Sequence, residues 1–170
     1  MVFYISGHGL HDGYLNQFFF CPIEFDPMIP EELGISFEDL ENLLGNTECR
    51  QKLLLLNTCM AGQPDPDRNS VKNERSFDLM KEYYWDLSVN SGASVFSASN
   101  SFGYTKESKN SSGISPLANA FLNSISKKKE NLSVGQIFSN MEQMLNSVNT
   151  EISSQTEVRQ LNTSGNFSIF

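Results

Sequence analysis

Short, continuous apolar runs alternate along the chain with longer segments in which apolar residues recur every three or four positions. Residues 2–6 form a β-rich run that stops at Gly7-His8-Gly9, and residues 14–20 are aromatic and extended. Residues 52–56 contain four consecutive leucines and read as a strand buried on both faces, ending at Asn57-Thr58-Cys59. Residues 93–98 read as a second buried strand and residues 167–170 as a last one. Ser36-Phe37-Glu38-Asp39 has the form of a helix N-cap, with Phe37, Leu40, Leu43 and Leu44 on one face and Gly45 as a stop. A helix is predicted over residues 76–89. Ser115-Pro116 opens the next, with proline at its favoured first position and Leu117, Ala118, Phe121, Leu122 and Ile125 on the inner face. Ser133 with Gln136 makes a capping box. Val134, Ile137, Phe138, Met141, Met144, Leu145 and Val148 then follow at helical spacing, which is a core stripe. Residues 21–34 carry three prolines and read as a loop, as does the polar stretch 63–75.

Buried strands that alternate with amphipathic helices imply an α/β fold of three layers, a mostly parallel sheet covered on both sides. Ligands of such sheets bind beyond the carboxyl ends of the strands. Gly7-His8-Gly9 and Cys59 both fall at predicted strand carboxyl ends. At 170 residues, with no internal repeat and no dividing linker, the chain fits one domain, residues 1–170.

Composition narrows the partners. A hydrophobic fraction of 39% with 13 Phe argues for a folded chain. The formal net charge of -8 disfavours nucleic acid and anionic membrane surfaces, which require a basic face. The run Lys127 to Lys129 reads as the basic end of a helix, complementing its dipole. No apolar stretch has the length of a membrane span, and the N-terminus lacks a signal-peptide pattern. Three cysteines make no disulfide framework, so a reducing compartment, the cytoplasm, is the default expectation.

The candidate chemistry lies in His8 and Cys59. A free thiol is mostly protonated at neutral pH, and a neighbouring imidazole can take its proton and raise the reactive fraction. Backbone N–H groups must face the developing oxyanion, and glycines beside the His let a substrate backbone come close. Cys59 follows His8 by about 50 residues, a separation found in one family of cysteine proteases.

Phe3-Tyr4-Ile5-Ser6-Gly7-His8-Gly9 resembles the (Y/F)-x-S-G-H-G segment of caspases, metacaspases and their bacterial relatives. Leu53-Leu54-Leu55-Leu56-Asn57-Thr58-Cys59-Met60-Ala61-Gly62 is similar to their strand ending in D-x-C-x-S-G or Q-A-C-x-G. Ala93 to Ser99 resembles the next family strand, and Gly103-Tyr104-Thr105-Lys106-Glu107-Ser108 is similar to the A-x-E segment after it. Gln155-Thr156 lies where many relatives have Q-T-P. The resemblance implies a caspase-like cysteine endopeptidase that acts on extended protein or peptide substrates without a cofactor. In it His8 is the general acid/base, Cys59 the nucleophile, and the N–H groups of Gly9 and Cys59 form the oxyanion hole. Asn57 and Glu107 line the substrate pocket, Glu107 favouring a basic residue there. The loop 63–75 corresponds to the segment that joins large and small subunits and is often self-cleaved.

The chain also departs from the family pattern. Asn57 replaces the Asp of metacaspases and the Gln of caspases, and Glu157 stands where Pro is frequent. The family has a strand–helix–strand–helix unit before the His strand. The resemblance therefore leads one to expect roughly 80 or more residues upstream of Met1, or a partner chain that completes the sheet. Two other classes stand beside the peptidase reading. One is a non-catalytic module of the same fold, since fold does not guarantee activity. The other is a metal hydrolase using His8, His11 and Asp12, although these two are the only histidines and no acidic cluster has calcium-ligand spacing. A serine hydrolase has no support, because no G-x-S-x-G elbow is present.

Overall fold

The computed structural model describes residues 1–12, 14–15, 17–62, 74–99, 114–126, 132–151 and 156–161, and the side chains of 59–62, 74–82, 98–99, 146–151 and 156–161 are not among what it describes. In chain order the elements are β1 (Val2–Asp12), β2 (Gln17–Cys21), α1 (Pro30–Leu33), β3 (Ile35–Ser36), α2 (Phe37–Gly45), β4 (Lys52–Gly62), α3 (Glu74–Ser91), β5 (Ala93–Ser99), α4 (Pro116–Ser126), α5 (Val134–Glu151) and β6 (Thr156–Leu161). The predicted strand over 167–170, the basic run 127–129, Glu107 and residues 63–73 of the predicted loop 63–75 lie outside the described residues, while residues 74–75 of that loop instead open α3.

The strands form one sheet in the order β3-β2-β1-β4-β5-β6. Only the β1–β4 and β4–β5 pairings are parallel, whereas β1–β2, β2–β3 and β5–β6 are antiparallel. The α/β class holds, but the sheet is mixed rather than mostly parallel. The reason lies in the connection from Asp12 to Gln17, which is too short for a crossover and returns the chain beside β1 as a hairpin. Asp12 closes that turn: its Oδ1 accepts from the backbone N–H of Tyr14 at 2.7 Å and of Leu15 at 3.0 Å.

Helices cover both faces. On one, α4 and α5 pack Leu117, Phe121, Ile137 and Met141 on Leu53, Leu55 and Phe96. On the other, α2 and α3 pack Phe37, Leu40, Tyr84 and Leu87 on Leu54, Leu56, Val95, Phe18 and Phe20. The leucine run of β4 is thus shared alternately between two cores, which is why it is apolar at every position. The caps read from sequence form. Ser36 Oγ accepts from Asp39 N at 3.1 Å while Asp39 Oδ2 accepts from Ser36 N at 2.8 Å. Ser133 and Gln136 reciprocate in the same way at the start of α5.

A buried cation joins two helix ends to the sheet. Lys52, 6% exposed, donates from Nζ to Leu44 O at the end of α2 and to Ser91 O at the end of α3, the latter at 3.1 Å. There the chain turns through Gly92 at φ 68°, a left-handed conformation that suits glycine after a helix. Among the described residues, no helix is long and apolar enough to cross a membrane.

Candidate active site

His8 does not end a strand. β1 runs on to Asp12 and β4 runs past Cys59 to Gly62, so the glycine-flanked segment lies inside the sheet. Glycine read alone marks a break, but from His8 onward β1 has ladder partners on both sides, β2 and β4, and the pairing overrides the local preference.

The register brings the expected pair together. In the β1–β4 ladder Ser6 is opposite Asn57, Gly7 opposite Thr58, His8 opposite Cys59 and Gly9 opposite Met60. Neighbouring strands run about 4.8 Å apart, so the backbones of His8 and Cys59 are direct neighbours. Alternation along β1 separates two faces. Phe3 and Ile5 pack with α2 and α3, whereas Tyr4 bonds Ser115 Oγ at 2.9 Å, just ahead of α4. Ser6 and His8 share the Tyr4 face, with Asn57 and Cys59 as their backbone register partners on β4.

β4 and β5 remain paired only from Lys52↔Ala93 to Leu56↔Ser97. Beyond that point the β4 backbone, from Asn57 to Gly62, has no ladder partner on its β5 side among the described residues. A strand edge without a ladder partner can receive an extended peptide or hold a developing negative charge with its N–H groups. Gly9 is less available. It is buried and sits between Phe20 of β2 and Met60 of β4, so its N–H lies within a ladder flanked on both sides.

His8 is exposed, and its other register neighbour is Cys21 on β2. Burial pushes the Cys21 thiol above its ordinary range, and its only described donation is a long one, to Phe19 O at 3.9 Å. A thiol held protonated is a poor nucleophile, so of the two cysteines beside His8, Cys21 is disfavoured. Cys49 lies apart, before β4, and its thiol is lowered, first by its hydrogen bond with the Gln51 backbone and then by the N-terminal ammonium.

Asn57 is 7% exposed and donates from Nδ2 to Ser6 Oγ at 2.9 Å. Three buried polar atoms lack a hydrogen-bond partner among the described residues: Asn57 Oδ1, Thr58 Oγ1 and His11 Nε2. All three belong to the stretch of β1 and β4 that surrounds the His8–Cys59 pair. Buried polar groups are ordinarily satisfied, and clustered exceptions mark sites where function imposes its own demands.

The metal-ligand grouping of His8, His11 and Asp12 does not assemble. His8 and His11 lie three residues apart on one continuous strand and so project to opposite faces. Asp12 is engaged in its turn. Among the described residues, no group of three or more His, Cys, Asp or Glu side chains converges on a point.

Sequence reading missed Cys21 and Ser6 as neighbours of the pair. The signal was present in Asp12-Gly13, a turn dipeptide between two apolar runs. Taken as a hairpin, it would have counted Cys21 back onto His8. No family model matches the chain, and no curated protein matches it with significance.

Proposed function

We propose that the chain is the catalytic part of a caspase-like cysteine endopeptidase, with His8 and Cys59 as its dyad and a protein or peptide as substrate. The observation that supports this is the register of His8 against Cys59 on adjacent parallel strands, beside a stretch of β4 that, among the described residues, pairs with β5 no further than Leu56. In this reading the thiol proton of Cys59 passes to the His8 imidazole and the thiolate adds to the scissile carbonyl. The protonated His8 then gives that proton to the leaving amine as the C–N bond breaks. Water, deprotonated by the same imidazole, hydrolyses the acyl-enzyme and restores the thiol. Of the two backbone donors expected for the oxyanion, Gly9 is held between two strands, so the burden falls on the Cys59 N–H of β4.

That position of Gly9 is what favours the alternative, a non-catalytic module of the same architecture. The two are separated by wild-type, Cys59→Ala and His8→Ala proteins, assayed on an unfolded protein substrate and labelled with a thiol-reactive peptide probe. The peptidase reading expects cleavage by wild type only, with probe mapped to Cys59. Cleavage by Cys59→Ala would refute it. Labelling of Cys59 no faster than of Cys21 or Cys49, with no cleavage, would establish the non-catalytic module.

A further inference from the structure

Asn57 carries a buried amide with one end in use. Its Nδ2 is committed to Ser6 Oγ at 2.9 Å, while Oδ1 is buried and accepts no hydrogen bond among the described residues. Ser6 and His8 lie two positions apart on one face of β1 and the ladder pairs Ser6 with Asn57 and His8 with Cys59, so His8 is the diagonal neighbour of Asn57. Diagonal positions are about 7–8 Å apart between Cα atoms, within reach of aromatic and long side chains. His8 always carries at least one ring N–H donor and makes no hydrogen bond among the described residues. An acceptor without a donor and a donor without an acceptor thus sit two positions apart on neighbouring strands.

We infer that Asn57 is a positioning residue for His8: rotation of the exposed imidazole lets Nδ1–H donate to Asn57 Oδ1, which leaves the Nε2 lone pair to face the Cys59 thiol. The inference rests on the dyad reading and adds to it a fixed tautomer. A neutral imidazole has two tautomers, and only the one protonated at Nδ1 can take the thiol proton at Nε2. Ser6 serves as the anchor, since its bond to Nδ2 turns the other end of the amide away from itself. The burial of Asn57 agrees with an internal role, because a residue 7% exposed presents little surface to a substrate. The described titratable groups beside His8 in the sheet are Cys21 on β2 and, at its register position, Cys59 on β4. Neither is a competing carboxylate acceptor for Nδ1–H.

The test reads the tautomer directly, by two-bond proton–nitrogen correlation of the imidazole rings in the full chain. The chain has two histidines, so His11→Gln assigns the signals. The wild type is expected to show neutral His8 protonated at Nδ1. Asn57→Ala should return it to the Nε2–H form favoured in water, and Asn57→Asp, which keeps an acceptor, should restore Nδ1–H. Should Asn57→Ala fail to fold, Ser6→Ala releases the amide anchor and should lower the Nδ1–H fraction. In turnover, Asn57→Ala should lower kcat on the order of a hundredfold with KM unchanged, the scale of lost acid–base catalysis, and Asn57→Asp should recover part of it. An Nε2–H ring in the wild type, unchanged by these variants, overturns the inference, as does a raised KM with kcat intact, which would make Asn57 a substrate-pocket residue. Because the tautomer needs no turnover, an inactive wild type would defeat the peptidase reading while this placement is still decided.

Discussion

Replacing Lys52 by Met should destabilise the fold by about 2 kcal/mol, the balance of three effects. Lys52 Nζ donates to Leu44 O and Ser91 O, carbonyls at the C-terminal ends of α2 and α3. Hydrogen bonds to a charged donor contribute about 1.5–3 kcal/mol each, so roughly 3–6 kcal/mol is lost in gross terms. Leu44 O keeps a donor, the N–H of Thr47 at 3.2 Å, which softens the loss on that side. Deleting the charge also releases the cost of burying an ammonium, several kcal/mol in real proteins. A net near 2 kcal/mol survives because the partners are the negative ends of two helix dipoles. They do not disappear with the lysine, as a counter-ion could by taking up a proton. For a chain of this size the midpoint of thermal unfolding should fall by about 4–8 °C. Lys52→Ala also loses about three buried methylenes of the stem, about 2 kcal/mol more. Unfolding can be followed by the fluorescence of Trp85, the single tryptophan, half-exposed on α3. A Lys52→Met protein as stable as wild type would refute the reasoning and show that an apolar side chain suffices at this junction.

Two further outcomes follow from local geometry. Gly92 has φ 68° and open space where a Cβ would stand, so Gly92→Ala should cost roughly 1–2 kcal/mol from the left-handed backbone alone; an unchanged denaturation midpoint would show that the turn relaxes. Iodoacetamide at neutral pH should modify Cys49 before Cys21, read by peptide mass mapping, because the first thiol is lowered and the second raised. At any pH below both pKa values the lowered thiol holds the larger thiolate fraction, so with increasing pH the Cys49 rate should climb before that of Cys21, and alkylation of Cys21 first would contradict that assignment.

The sequence by itself determined what depends on neighbours in the chain. Runs such as Leu53–Leu56 specify buried strands, the Ser36/Asp39 and Ser133/Gln136 pairs specify where α2 and α5 begin, and Pro116 opens α4. His8 and Cys59 stood out as candidates for the same reason, because a glycine-flanked His and a Cys following an apolar run are local patterns. Only the tertiary structure decided that β1 continues through Gly7 and Gly9, that β2 and β6 turn the sheet mixed, and that His8 stands opposite Cys59 and Cys21. It also gave Lys52 its role, since nothing near it in sequence reveals two helix ends waiting for a cation. The division has one physical cause. Side-chain periodicity and caps act over a turn or two of chain, whereas register and strand direction are set by hydrogen bonds between segments far apart, whose partners no local pattern names.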